Sequence, residues 1–374
     1  MHESSAKAPS TQCWQRCVDL YHQHEKWVAA AFFVGGVGYD FLTLTRVDRR
    51  ADNLILLAYL VVLAGLIIAT GRVRLGRPAP ALCVRYQQLL PLAIQFLLGS
   101  LFSAYTVFYF ASVSLSETAV FFVLLVGLLV ANERLAPRLS DLSLLMAMYC
   151  FATFSFFAFF IPVCVGAVNR WTFAAGTLAT AVAAGLVLLA VHGRRWGAAR
   201  ADLFRSGGPA AALLAALVVL HWANLIPPVP LALRFGGVYR QVERDGRVYH
   251  LTYAKPPWYR WYQKSENPFL WRAGDRVYCF ASIFAPRQMQ ARVYHRWRRY
   301  DERRGQWQDA GRMGYGVSGG RDSGYRGFTW KENVAPGRWI VDVETDDGQL
   351  LGRLRFTIED RGEAPLDLQV LDHR

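Results

Sequence analysis

Residues 143–168 read SLLMAMYCFATFSFFAFFIPVCVGAV, and no side chain in the run is charged. A helix rises about 1.5 Å per residue, so a run of this length spans the roughly 30 Å hydrocarbon core of a bilayer. Working outward, comparable runs occupy 27–45, 53–70, 88–110, 114–132, 172–192 and 209–233. The expected architecture is a multi-span α-helical membrane bundle of about seven helices, followed by an all-β, sandwich-like soluble domain. Its segments are a tail over 1–26, a transmembrane domain over 27–234 and the β-domain over 235–374. A short link around 111–113 makes the third and fourth spans a helical hairpin, and Ser114-x-x-Glu117 reads as a capping box opening the fourth. Pro227, Pro228 and Pro230 are expected to end the seventh, because proline removes a helix donor and clashes with the preceding turn.

Charge orients this bundle. The chain carries 42 Lys and Arg against 28 Asp and Glu, a net +14. In a soluble protein that excess would suggest nucleic acid. Here no lysine occurs between Lys26 and Lys255, and the intervening arginines sit between the apolar runs, so no nucleic-acid partner is expected. Lys7, Arg16, Lys26, Arg72, Arg74, Arg77, Arg85, Arg134, Arg138, Arg194, Arg195, Arg200 and Arg205 fall on one side, thirteen in all. Arg46, Arg49, Arg50 and Arg170 fall on the other. The positive-inside rule then puts the N-terminus in the cytoplasm and, after seven crossings, the β-domain outside. The first 26 residues mix acid, base and histidine, so the first span is expected to stay as an anchor and not to be cleaved.

Of six cysteines only Cys279 lies in the soluble domain, which rules out a disulfide framework there. Cys13-x3-Cys17 with His22 and His24 lacks zinc-site spacing, and neither a metal nor a cofactor is expected. The absence of lysine from the spans excludes a retinal Schiff base.

Beyond residue 235 the hydrophobic period becomes two. Strands are expected over 247–253, 276–284, 291–300, 325–331, 338–344 and 350–358. With Asp347-Gly348 as a two-residue turn, Trp339 faces Phe356, Val341 faces Leu354, and Asp342 faces Arg353. The first two pairs belong to the core, and the third is expected to be an exposed ion pair worth little.

Tyr294-His295-Arg296-Trp297, Arg326-Gly327-Phe328-Thr329-Trp330-Lys331 and Gly337-Arg338-Trp339-Ile340-Val341-Asp342-Val343 together resemble a bacterial family, domain of unknown function 2914. The resemblance covers 291–358, and the insertions 301–308 and 311–324 are longer than the family's pattern. The membrane part is similar to the multi-span segment that often precedes this domain. What the resemblance implies is a β fold in a bacterial inner membrane protein, with the domain in the periplasm; it implies no chemistry.

Gly314-Tyr315-Gly316-Val317-Ser318-Gly319 fits G-x-G-x-x-G, but no helix follows, so a loop is expected. His295 shares strand parity with Val293 and Trp297 and is expected to be a hydrogen-bonded structural residue. No nucleophile is set up for catalysis, and no catalytic residue is assigned. The opposite face of 291–300 presents Arg292, Tyr294, Arg296 and Arg298. Upstream, Trp258, Tyr259, Trp261 and Tyr262 alternate with Lys255, Arg260 and Lys264. From 235 to 330 there are 18 basic and 8 acidic side chains. Such a basic, aromatic surface suits an anionic envelope polysaccharide, lipid headgroups or another envelope protein. The preferred expectation is therefore a binding module on a membrane anchor, with membrane lipids as partners and oligomeric state open. The alternative is a transporter or membrane-embedded enzyme, for which Asp40, Glu117, His221 and Asn224 form a polar set in the outer half of the bilayer.

Overall fold

The computed structural model describes residues 50–110, 119–134, 141–193, 200–226, 230–286, 289–318, 324–362 and 365–373. The tail, the first expected span with Asp40, the 111–113 link and the Ser114–Glu117 cap lie outside them. Among the described residues are seven α-helices: α1 (Arg50–Arg74), α2 (Ala81–Arg85), α3 (Leu90–Phe110), α4 (Ala119–Arg134), α5 (Leu142–Val165), α6 (Arg170–His192) and α7 (Arg200–Trp222). By length and composition α1, α3, α5, α6 and α7 are apolar enough to cross a membrane.

α5 is the hub of this bundle and packs against α1, α3, α6 and α7. That explains the all-round apolar character of 143–168, since a helix buried on every side has no polar face. Phe151, Phe154, Phe156 and Phe159 are almost fully buried, and Phe102, Phe108 and Phe173 meet them edge-on. α6 comes close at Gly176, where a Cβ would stand 3.2 Å from the Phe157 carbonyl oxygen.

The seventh helix differs from expectation. It begins at Arg200, carries Pro209 inside it and ends at Trp222, ahead of the proline cluster. Pro209 has no N–H for the Arg205 carbonyl, and the Ser143 hydroxyl donates to that oxygen instead, at 2.8 Å. The stop is made by Asn224, which adopts φ +56° while Leu225 N–H returns to the Leu220 carbonyl at 2.9 Å. This is a left-handed helix cap; Pro227 and Pro228 lie outside the described residues.

Cross-bonds fix which helix ends lie together. Arg72 Nε donates to the Ala190 carbonyl at 2.9 Å, Asn132 Nδ2 to Gln95 at 3.0 Å, and Ser143 to Arg205. One end of the bundle therefore gathers the C-termini of α1, α4 and α6 with the N-termini of α3, α5 and α7. The basic residues Arg72, Arg74, Arg77, Arg85, Arg134, Arg200 and Arg205 belong to this end. The β-domain joins the opposite end.

Among its described residues the domain has eleven strands: β1 (Ala232–Tyr239), β2 (Gln241–Asp245), β3 (Val248–Ala254), β4 (Phe269–Trp271), β5 (Val277–Phe284), β6 (Gln290–Asp301), β7 (Gln306–Ser318), β8 (Tyr325–Lys331), β9 (Gly337–Thr345), β10 (Leu350–Asp360) and β11 (Leu368–His373). They form sheets ordered β1-β5-β8, β4-β10-β9-β6-β7 and β11-β3-β2. The first two face each other across a core of Val238, Val277, Cys279, Trp297, Trp339, Val341 and Phe356. The third packs through Val242, Tyr249, Leu251 and Tyr253 onto Tyr239 and Phe280 of the first.

The β9–β10 register pairs Trp339 with Phe356, Val341 with Leu354 and Asp342 with Arg353, as the alternation predicts. The turn is different. Gly348 N–H bonds the Thr345 carbonyl and Thr345 N–H the Gln349 carbonyl, which leaves a three-residue turn with Gly348 at φ +79°. A register shift between Leu350 and Gly352 offsets the extra residue.

The glycine-rich run is a strand, not the expected loop. Gly314 lies in β7 opposite Tyr294, and a Cβ there would stand 2.5 Å from Tyr294 Cε1. Gly327 in β8 makes room for Tyr315 in the same way. These glycines accommodate tyrosine rings.

Candidate functional site

His295 sits in the core between the five-stranded sheet and the β1-β5-β8 sheet. Its Nδ1 is 2.9 Å from Thr329 Oγ1 and its Nε2 is 3.0 Å from the Tyr315 hydroxyl. Trp297 Nε1 donates to the same Thr329 oxygen at 3.2 Å. A neutral imidazole satisfies both contacts, as donor at one nitrogen and acceptor at the other. Burial pushes its pKa down to about 3 and raises the Cys279 thiol. His295 is thus buried, with both ring nitrogens hydrogen-bonded inside the core.

The outward side of β6 is laced with ion pairs. Arg296 meets Asp309 at 2.7 Å. Arg298 bonds Asp342, and Arg353 Nε reaches the other oxygen of the same carboxylate at 2.5 Å. Arg312 stacks 3.7 Å over Tyr294 and bonds Glu344 at 2.8 Å; Arg292 is exposed. Asp342 is only 3% exposed, so the ion pair expected at the surface is a buried carboxylate shared by two guanidiniums. Burial, then the charges of Arg353 and Arg296, lower the Arg298 pKa.

The exposed aromatics lie elsewhere. Trp258 is 88% exposed, Trp261 82%, Tyr262 68% and Tyr259 57%. Their loop is held at both ends by the Glu266 carboxylate, which accepts from Ala254 N–H at 2.9 Å, from Leu270 N–H at 3.1 Å and from Arg240 at 2.5 Å. Tyr239 Oη donates to the Lys264 carbonyl at 2.8 Å. Gly237 allows the loop to return against β1, since a Cβ would stand 2.6 Å from that of Ser265. Beneath the loop a cleft of about 490 Å³ opens between β1 and β10, lined by Arg260, Tyr262, Gln263, Ser265, Asn267 and Arg355 among others.

The remaining polar pair marks the junction with the helices. His221, at the end of α7, lies flat on Phe173 with ring centroids 3.4 Å apart and accepts from Gln349 Nε2 at 2.7 Å. Asp347 Oδ2 accepts from Arg170 N–H at the start of α6, at 2.6 Å. Gln290 N–H bonds the Gly166 carbonyl at 3.2 Å. The β9–β10 turn thus plugs between α6 and α7. His221 serves that contact and Asn224 ends its helix; Glu117 and Asp40 are outside the described residues. Among those described, no group of three or more His, Cys, Asp or Glu could hold a metal.

Sequence reasoning missed Gln349, Asp347, Thr329 and Asn267 as partners. Each acts across a long sequence separation, and the only local signal was the turn propensity of Asp347-Gly348.

Residues 290–358, which span β6 to most of β10, match the family described as Protein of unknown function (DUF2914). The His295 core and the Asp342 cluster fall inside the match, and the aromatic loop precedes it. No curated protein matches the chain. A solved structure of the Pseudomonas fluorescens alkylpurine DNA glycosylase AlkC, bound to DNA containing an abasic site analog, aligns with 82% of this chain and 99% of its own. The identity is 11% and the TM-score 0.21, too loose a superposition to bear on the fold.

Proposed function

We propose that this chain is a polytopic protein of a bacterial cytoplasmic membrane whose β-domain faces the periplasm and binds an anionic component of the cell envelope. The observation that carries the reading is the loop at 258–262, four exposed aromatic rings on a braced backbone amid Lys255, Arg260 and Lys264. An exposed apolar patch of this kind marks an interaction site, and the surrounding cations select for negative charge.

Height along the domain argues against lipid as the loop's partner. Asn267 clamps β10 through the Arg355 carbonyl at 3.4 Å and the Thr357 N–H at 3.2 Å. Those positions lie five to seven residues beyond Leu350, roughly 17–23 Å along the strand from the turn that meets the helices. The residues suited to a bilayer interface are Trp171 and Trp222 at the helix ends, 72% and 71% exposed.

The test uses the full-length protein in zwitterionic nanodiscs, titrated with a soluble polyanion at two salt concentrations. Binding should weaken with salt and fall at least about tenfold in the Trp258→Ala, Trp261→Ala double variant, a loss of about 1.4 kcal/mol. Binding indifferent to both changes would contradict the reading.

A further inference from the structure

We infer that the cleft between β1 and β10 is a binding site for an acidic polysaccharide segment, with sugar rings stacked on Trp258 and Trp261 and a sugar carboxylate at Arg260. This rests on the proposal that the β-domain binds an anionic envelope component, and it names the class and the site.

Three observations favour a sugar chain. First, the two indoles are more than four-fifths exposed on a backbone fixed by Pro256 and Pro257 and by the Glu266 carboxylate at both loop ends. A rigid, solvent-facing aromatic pair is a preorganised platform, on which little ordering cost remains to be met at binding. Such flat faces suit the C–H faces of a pyranose, which are apolar while the ring's edge is polar. Second, the cleft beside the loop has polar walls suited to that edge: Gln263, Ser265 and Asn267 on the loop side and Arg353 and Arg355 on β10, alongside the apolar flanks of Val238, Leu354 and Phe356. Sugar hydroxyls can both donate to and accept from such polar groups, which an apolar protein ridge cannot do. Third, Arg260 stands between the two tryptophans in sequence and lines the cleft. It gives one N–H to the Asn267 carbonyl at 3.2 Å, which aims the guanidinium, and a planar fork matches a carboxylate. Glu266 does not oppose this charge, because its oxygens are taken by Arg240, Ala254 and Leu270.

The experiment titrates the full-length protein in zwitterionic nanodiscs with four probes: a hexamer of galacturonic acid, a neutral hexamer of galactose, poly-glutamate, and vesicles of phosphatidylglycerol. The acidic hexamer should bind at least about tenfold more tightly than poly-glutamate or the vesicles, and single Trp258→Ala or Trp261→Ala substitutions should each weaken it about tenfold or more. Arg260→Gln should weaken the acidic hexamer and leave the neutral one unchanged. All three side chains are at the surface, so thermal melts of the variants should match the parent. Poly-glutamate or vesicles binding as well as the acidic hexamer, or tryptophan variants that bind it undiminished, would overturn the inference and leave the anion-binding proposal standing. Equal binding of both hexamers would overturn the acidic assignment. Failure of every anionic probe to bind would overturn the inference and the proposal together.

Discussion

At the scale of single residues, Asp342 carries the most concentrated electrostatics in the β-domain. Its carboxylate holds Arg298 and Arg353 on opposite oxygens while itself almost shut off from water. Removing one partner of a buried pair costs about 3–5 kcal/mol. The two guanidiniums keep about a quarter of their surface in water, so Asp342→Ala should cost less, about 2–3 kcal/mol. Trp339→Ala removes a core ring against Phe356 and should cost about 3–5 kcal/mol. Thermal melts check both, and an Asp342→Ala loss under about 0.5 kcal/mol would return the pair to the screened surface class. His295 gives a pH signature. Its pKa is about 3 when folded and about 6.5 when unfolded, so the unfolded chain binds the extra proton. Stability is complete above about pH 6.5 and declines as pH falls toward 3, by roughly 2 kcal/mol near pH 4.5 after allowing for relaxation. The His295→Gln variant should show a flatter dependence of melting temperature on pH over that window; an unchanged slope would mean that the imidazole is not the responsible group.

At the scale of elements, β7 separates glycines that look alike in sequence. A Cβ on Gly314 strikes the Tyr294 ring, whereas a Cβ on Gly316 meets nothing within 4 Å. Gly314→Ala should therefore cost about 1–3 kcal/mol, as overpacking does, and Gly316→Ala should stay within about 0.5 kcal/mol. Equal losses in melts of the two variants would show that backbone freedom, not the tyrosine ring, requires glycine here. The same strand shows where sequence reading stops. Period-two alternation identified β3, β5, β6, β8, β9 and β10, because aliphatic and aromatic residues recur at alternate positions, as Tyr249, Leu251 and Tyr253 do in β3. β7 escaped because glycines interrupt its alternation, and Gly314 is set by the Tyr294 ring on β6, a relation no local window contains. The β9–β10 register was legible although its turn was not. The side-chain period pins the pairing, and an irregularity beyond Leu350 offsets the longer turn. Among the helices, apolar runs located those long and apolar enough to cross a membrane, but α7 was misplaced. Its proline is tolerated only because Ser143, on another helix, bonds the carbonyl that Pro209 leaves open. The candidate site was half legible: the aromatic loop shows in the sequence, while the cleft under it and the pairing of Arg296, Arg298 and Arg353 depend on contacts between distant strands.

At the scale of the whole molecule, the helices and the β-domain meet through few but specific contacts. Asp347 bonds the first N–H of α6, Gln349 bonds His221 at the end of α7, and Gln290 bonds Gly166 after α5. All three lie at the bundle end away from the arginine-rich loops. The central claim is that the bundle spans a cytoplasmic membrane with that basic end inside and the β-domain outside. Alkaline phosphatase fusions test it most directly, because the enzyme folds only where its disulfides form. A fusion after Leu233 should be active and one within 194–205 inactive. Activity in the second with none in the first would contradict the account.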